Sequence, residues 1–125
     1  MSTVHHFKKD GNAYRWEGVQ ATPLAVDGIE GAVKNILIGD NEGAPHFIMR
    51  YFELEPGGHS RLEKHAHEHE VIILRGKGEV QLGEEKIAVT AFDTVFVEGN
   101  ALHQFRNVGD EPFGFICVIP RMEHL

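Results

Sequence analysis

The chain has 125 residues, a mass of 14.0 kDa and a formal net charge of −7. That length suits one domain around one core, and the negative balance argues against a nucleic-acid or anionic-membrane binder, which needs a basic face. Nine histidines against one cysteine exclude an intramolecular disulfide and a thiolate zinc site, but leave imidazole–carboxylate metal chemistry open.

Residues 1–9 are polar with no apolar stretch behind them, so no targeting signal is expected. The longest apolar run, 115–119, is far too short for a transmembrane helix. One free cysteine suits a reducing cytoplasm, which is the expected location. Tyr14, Trp16 and Val19 alternate and predict an edge strand, or an arm packed on a partner subunit. Residues 1–30 are assigned to this arm and 31–125 to a barrel.

No window sustains a helical apolar period. Short runs rich in Val, Ile and Phe predict strands at 33–38, 47–54, 70–75, 79–82, 86–89, 94–97, 102–107 and 113–119. Gly- and Asn-rich turn clusters separate them. Eight short strands at this spacing predict an all-β sandwich or barrel, and a jelly roll removes most edge strands. Run 47–54 is apolar on both faces; with the aromatic arm this predicts a homodimer.

The stretch Glu63-Lys64-His65-Ala66-His67-Glu68-His69-Glu70 is the richest in chemistry. If it is extended, Glu63, His65, His67 and His69 share one face. Two readings follow: a divalent-metal site, because imidazole and carboxylate both donate lone pairs, or a solvated, charged edge strand.

Two spacings then matter. Gly57 is followed by five residues, then Glu63-Lys64-His65, three residues, His69, six residues and Gly76. Phe92 is followed by five residues, then Glu98-Gly99-Asn100, two residues, His103, three residues and Asn107. Both runs resemble, without a gap, the two motifs of the cupin superfamily of small double-stranded β-helix barrels. The resemblance spans at least two fifths of the chain, and the tail from Phe115 continues like that family's last strand.

The resemblance implies a single jelly-roll cupin domain with a metal held by Glu63, His65, His69 and His103. The family's usual ligand order is changed: Glu63 stands where its first His would be, and His69 where its Glu would be. Glu63 therefore either ligates or leaves a three-His site. Phe92, Glu98 and Asn100 replace the family's Gly, Pro and Gly. A rival register pairs His65 with His67 and takes Glu70 as carboxylate. It requires compensating loop changes and puts Glu70 on the strand face opposite His67. His103 belongs to the site in both registers.

Around the metal, Phe105 shares a face with His103 and is expected beside it. Arg50 either reaches inward to a substrate carboxylate or pairs with a surface acid. Tyr51 is either a pocket hydrogen-bond donor or core packing, and His67 belongs to the rim. Cys117 reads as a small buried hydrophobe with no base beside it. His46 and His59 sit at turn edges; His5, His6 and His124 lie near the termini and are incidental.

The functions that follow are a metal-dependent enzyme on a small molecule, using one Mn, Fe, Ni, Co or Zn per chain; a non-catalytic ligand-binding or sensor module; or a barrel that the metal only braces. Cupins of this size include dioxygenases, decarboxylases and isomerases, and fold analogy does not choose among them.

Overall fold

The computed structural model of the protein describes residues 2–122; His124 lies outside the described residues. Among these, the regular secondary structure is almost wholly β, with a 3-10 turn at Asp40–Glu42. No described helix is long and apolar enough to cross a membrane.

The eleven strands are β1 Phe7–Asp10, β2 Ala13–Trp16, β3 Ala21–Pro23, β4 Glu30–Ile38, β5 Phe47–His59, β6 His69–Arg75, β7 Lys77–Leu82, β8 Glu85–Thr90, β9 Thr94–Val97, β10 His103–Asn107 and β11 Phe113–Pro120. The main sheet runs β8-β7-β10-β5-β11-β6-β9, with β4 on β5 and β3 on β4. Strand β5 is the hinge of the jelly roll. Its first eight residues pair with the whole of β11, and its last residue, His59, pairs with Arg106 of β10. One strand thus belongs to both layers, and the sheet curls around a shared interior.

Period-two alternation fills that interior. Val71 and Ile73 of β6, Val95 and Val97 of β9, Phe105 of β10, and Phe113, Phe115, Cys117 and Ile119 of β11 form one buried cluster. Asn107 closes the second motif as a brace. Its amide donates to the carbonyls of Leu54 and Glu111, and its oxygen accepts from the Gly109 amide.

In the N-terminal region, where an edge strand or a packed arm is expected around Tyr14, Trp16 and Val19, the chain forms a hairpin. Tyr14 and Trp16 lie in β2, which pairs with β1 in a hairpin, while Val19 falls outside both strands. The turn Gly11-Asn12 has positive φ at the glycine alone, as a type II′ hairpin requires. The polar sequence of β1, Phe-Lys-Lys-Asp, hid the strand because it buries no face. Trp16 and Tyr14 pack over Tyr51, with ring centroids at 5.0 and 6.0 Å. Gly114 makes room for this layer: a Cβ there would lie 2.0 Å from the Tyr51 hydroxyl.

Phe92 and Asn100 replace family glycines, and both adopt the left-handed conformation, at φ 73° and 66°. Asn tolerates this region; a phenylalanine does so at a cost. Phe92 is 76% exposed, so little packing compensates. Phe92→Gly is therefore expected to raise stability by about 1 kcal/mol in urea denaturation; a loss of stability would contradict the strain assigned to this turn.

Candidate metal centre and cavity

The histidine stretch is not one extended strand. Glu63 makes an isolated antiparallel bridge with His103, the chain bends at Ala66-His67, and β6 starts at His69. The bend has a physical purpose. In an extended strand, positions four apart are roughly 13 Å apart, too far for two imidazoles to share an ion. Here the Nε2 atoms of His65 and His69 are 3.2 Å apart. One ring nitrogen each of His65, His69 and His103 lies within 4.8 Å of the others. These three can hold one metal ion.

The far nitrogens explain which atoms converge. His103 Nδ1 is 2.9 Å from the Ala101 carbonyl, and His65 Nδ1 is 3.2 Å from the His67 carbonyl. A carbonyl only accepts, so each Nδ1 carries the proton and each Nε2 keeps its lone pair. His69 Nδ1 meets Cys117 Sγ at 3.0 Å. The sulfur also accepts from Arg50 Nη2 at 3.0 Å, and that Nη2 lies 3.4 Å from the His69 ring. His69 and His103 are buried, at 8% and 5% exposure. Burial, with Arg50 and the other imidazoles adding to it, pushes His69 down to about 3. It is neutral at physiological pH, the form that donates to a metal. The donor set therefore fits a divalent transition metal.

Glu63 approaches from the solvent side. Its Oε1 is 3.7 Å from His65 Nε2, and its side chain is 42% exposed. His67 lies outside the three-nitrogen cluster and stacks on His65, with centroids 3.7 Å apart and planes within 4°. Burial and the neighbouring His65 hold its imidazole below the ordinary range. Glu70, the carboxylate of the rival register, is exposed on the outer face opposite Phe96 and Val118.

Beside the histidines is a cavity of about 300 Å³, at the small end for ligand sites. Phe52, Leu54, Phe105 and Phe115 make its apolar wall; Lys34, Arg50, Glu63 and Cys117 contribute polar groups. Phe105 and Arg50 thus line the space, and among the described residues Arg50 pairs with no acid. Tyr51 does not reach it. It alternates with Arg50 and Phe52, so it faces the opposite side of β5, fully buried beneath Trp16 and donating to Glu53 at 2.8 Å. Burial, with Glu53 beside it, raises its phenol far above the usual range and keeps it protonated.

Two cavity residues escaped sequence reasoning. Cys117 reads from the sequence as a small buried hydrophobe without a base beside it, yet its sulfur lies 3.0 Å from His69 Nδ1 and accepts from Arg50 Nη2. Its inward parity was visible; its neighbours came from β5 and β6, which only the register reveals. Lys34 carried no signal except its place two residues from Ala32 on one face of β4.

A jelly-roll barrel with three convergent imidazoles beside a cavity defines the class of small β barrels with a candidate metal site. Residues 50–119 match the Cupin_2 family, the cupin domain, and the chain belongs to that family. It is 37% identical over 116 residues to the 1-methylthio-D-xylulose 5-phosphate methylsulfurylase of Rhodospirillum rubrum, covering 90% of this chain and 73% of that protein. A solved cupin-2 domain from Rhodospirillum rubrum is 35% identical with a TM-score of 0.81, covering 91% of this chain and 77% of the other. A cupin 2 conserved barrel domain protein from Rhodopseudomonas palustris is 34% identical with a TM-score of 0.83, covering 94% and 80%.

The Cys117 thiol is buried, and burial pushes its pKa up against the pull of Arg50. Its reaction with a neutral thiol reagent near pH 7 should be at least about tenfold slower than in the urea-unfolded chain. Equal rates would contradict its place in the cavity wall.

Proposed function

We propose that this protein is a divalent-metal-dependent enzyme acting on a small organic molecule, with His65, His69 and His103 as ligands through Nε2. One observation carries this: three ring nitrogens converge within 4.8 Å of one another beside a cavity. The named activity of the Rhodospirillum rubrum relative, a methylsulfurylase of a sugar phosphate, adds support for an enzyme. Glu63 is assigned as a fourth, exchangeable ligand, since its carboxylate faces the metal-side nitrogen of His65. His67 is assigned to the rim, as a plate that holds the His65 ring by stacking.

A bound Mn, Fe, Ni, Co or Zn ion supplies a Lewis acid that polarises a substrate oxygen. The chain's own residues do the rest. The four apolar side chains exclude water, and Arg50 presents a fixed positive charge to the bound molecule. The Ala101 and His67 carbonyls hold His103 and His65 in their Nε2-donor tautomers, and Cys117 and Arg50 fix the His69 ring from its Nδ1 side. Oxidative cleavage, decarboxylation and isomerisation are the reaction classes assigned to this arrangement. The enzyme is taken to work as a homodimer.

Protein purified without a nickel column should carry about one transition-metal ion per chain by elemental analysis, and His103→Ala should fall below about a tenth of that. Glu63→Ala should keep the ion but bind it about tenfold more weakly. Wild-type protein that is empty and cannot be reloaded would overturn the proposal. A metal-loaded protein that binds small molecules but turns none over would favour a sensor instead.

A further inference from the structure

The cavity has the opposite charge to the chain. Against a net charge of −7, its wall carries Lys34, Arg50 and Arg61 and a single carboxylate, Glu63. Arg61 is engaged elsewhere, with Nε and Nη2 donating to the Asp27 carbonyl at 3.3 and 3.0 Å. Glu63 faces His65. Among the described residues, neither Lys34 nor Arg50 has a carboxylate partner.

The strand register forces these two cations together. Lys34 of β4 lies opposite Phe52 of β5, and Ile36 opposite Arg50. Lys34 and Arg50 are therefore diagonal neighbours on the cavity face of adjacent strands. Arg50 is held rigidly. Its Nη2 donates to Cys117, its guanidinium lies 4.9 Å from the centre of the Phe52 ring, and its Nε is buried without a hydrogen-bond partner. Burial, with Arg50 adding to it, holds the Lys34 amine below its usual range. Like charges placed together and half-buried with no counter-ion work against folding. An arrangement that disfavours the empty protein suits a bound anion.

We propose that Lys34 and Arg50 form the anion subsite of the cavity, and that it takes a small molecule bearing a phosphate monoester. Two neighbouring cations match a group that carries nearly two negative charges at neutral pH. A lysine and an arginine also supply complementary donors, a mobile point charge and a rigid fork. Phe52, Phe105 and Phe115 line the same cavity and offer an apolar wall to the ligand's short carbon skeleton. The subsite rests on the metal-enzyme assignment only for what happens at the other end of the ligand.

The test is calorimetric titration of metal-loaded and metal-stripped protein with dihydroxyacetone phosphate, dihydroxyacetone and glycerate. The phosphate should bind about tenfold or more tightly than either comparator. Lys34→Met should abolish that advantage with metal content unchanged, and Lys34→Gln should do the same. In the absence of ligand, both variants should melt no lower than wild type, because a repulsion has been removed. Four outcomes would overturn the subsite: no preference for the phosphate, glycerate binding as well as the phosphate, undiminished phosphate binding in both lysine variants, or phosphate binding that disappears with the metal and ignores Lys34. An absence of metal with intact, Lys34-dependent phosphate binding would overturn the metal-enzyme assignment and leave the subsite standing.

Discussion

The site depends on hydrogen bonds made on the side of each imidazole that faces away from the cluster. A neutral histidine has one donor nitrogen and one acceptor nitrogen, and the group on the donor side decides which is which. The Ala101 carbonyl and the His67 carbonyl do this for His103 and His65, while Cys117 Sγ at 3.0 Å and Arg50 Nη2 at 3.4 Å hold the Nδ1 side of His69. Without them the three lone pairs have no reason to meet. Burial then removes the competing protonated state from His69. Geometry and protonation are thus set by the same few atoms, and both favour a cation in the same place.

The barrel supplies those atoms from distant parts of the chain. His69 begins β6, His103 begins β10, and His65 hangs from the loop between β5 and β6. The loop is tied at two points: the Glu63 and His103 backbones exchange hydrogen bonds, and the Asn100 amide donates to the His65 carbonyl at 2.7 Å. Asn100 makes that contact from a left-handed conformation. The family's glycine would meet the backbone requirement with less strain, whereas asparagine keeps it within tolerance. Phe92 has no comparable hold on the site, so its strain stands as a cost of the β8–β9 turn alone.

Much of this was legible in the sequence because it rests on period two and on spacing. All eight predicted strands have counterparts, most within one or two residues at each end; the largest extensions are the start of β4 and the end of β5. Gapless motif spacing singles out Glu63, His65, His69 and His103, and the three histidines of that set cluster. What was hidden depended on register between strands far apart in the chain. Tyr51 and Arg50 are adjacent in sequence, and the face each takes depends on which side of β5 the barrel closes. Cys117 and Lys34 became visible only once β11 and β4 were laid on either side of β5. The bend at Ala66-His67 was hidden too, because alternating histidines look extended until two of them must reach one point. The β1–β2 hairpin offered its Asp10-Gly11-Asn12 turn, but the polar strand beside it gave no apolar pattern to confirm it.

Electrostatics link the three clustered histidines to the rest of the cavity. Arg50 touches the sulfur that orients His69 and shares its face with Lys34, so one guanidinium borders both the imidazoles and the proposed anion subsite. The most direct test of the central claim is anomalous diffraction from crystals of the metal-loaded protein. The expected result is one ion bonded to the Nε2 atoms of His65, His69 and His103 at about 2.0–2.2 Å. An ion bound through an Nδ1 atom, or held by His67 and Glu70 instead, would contradict it.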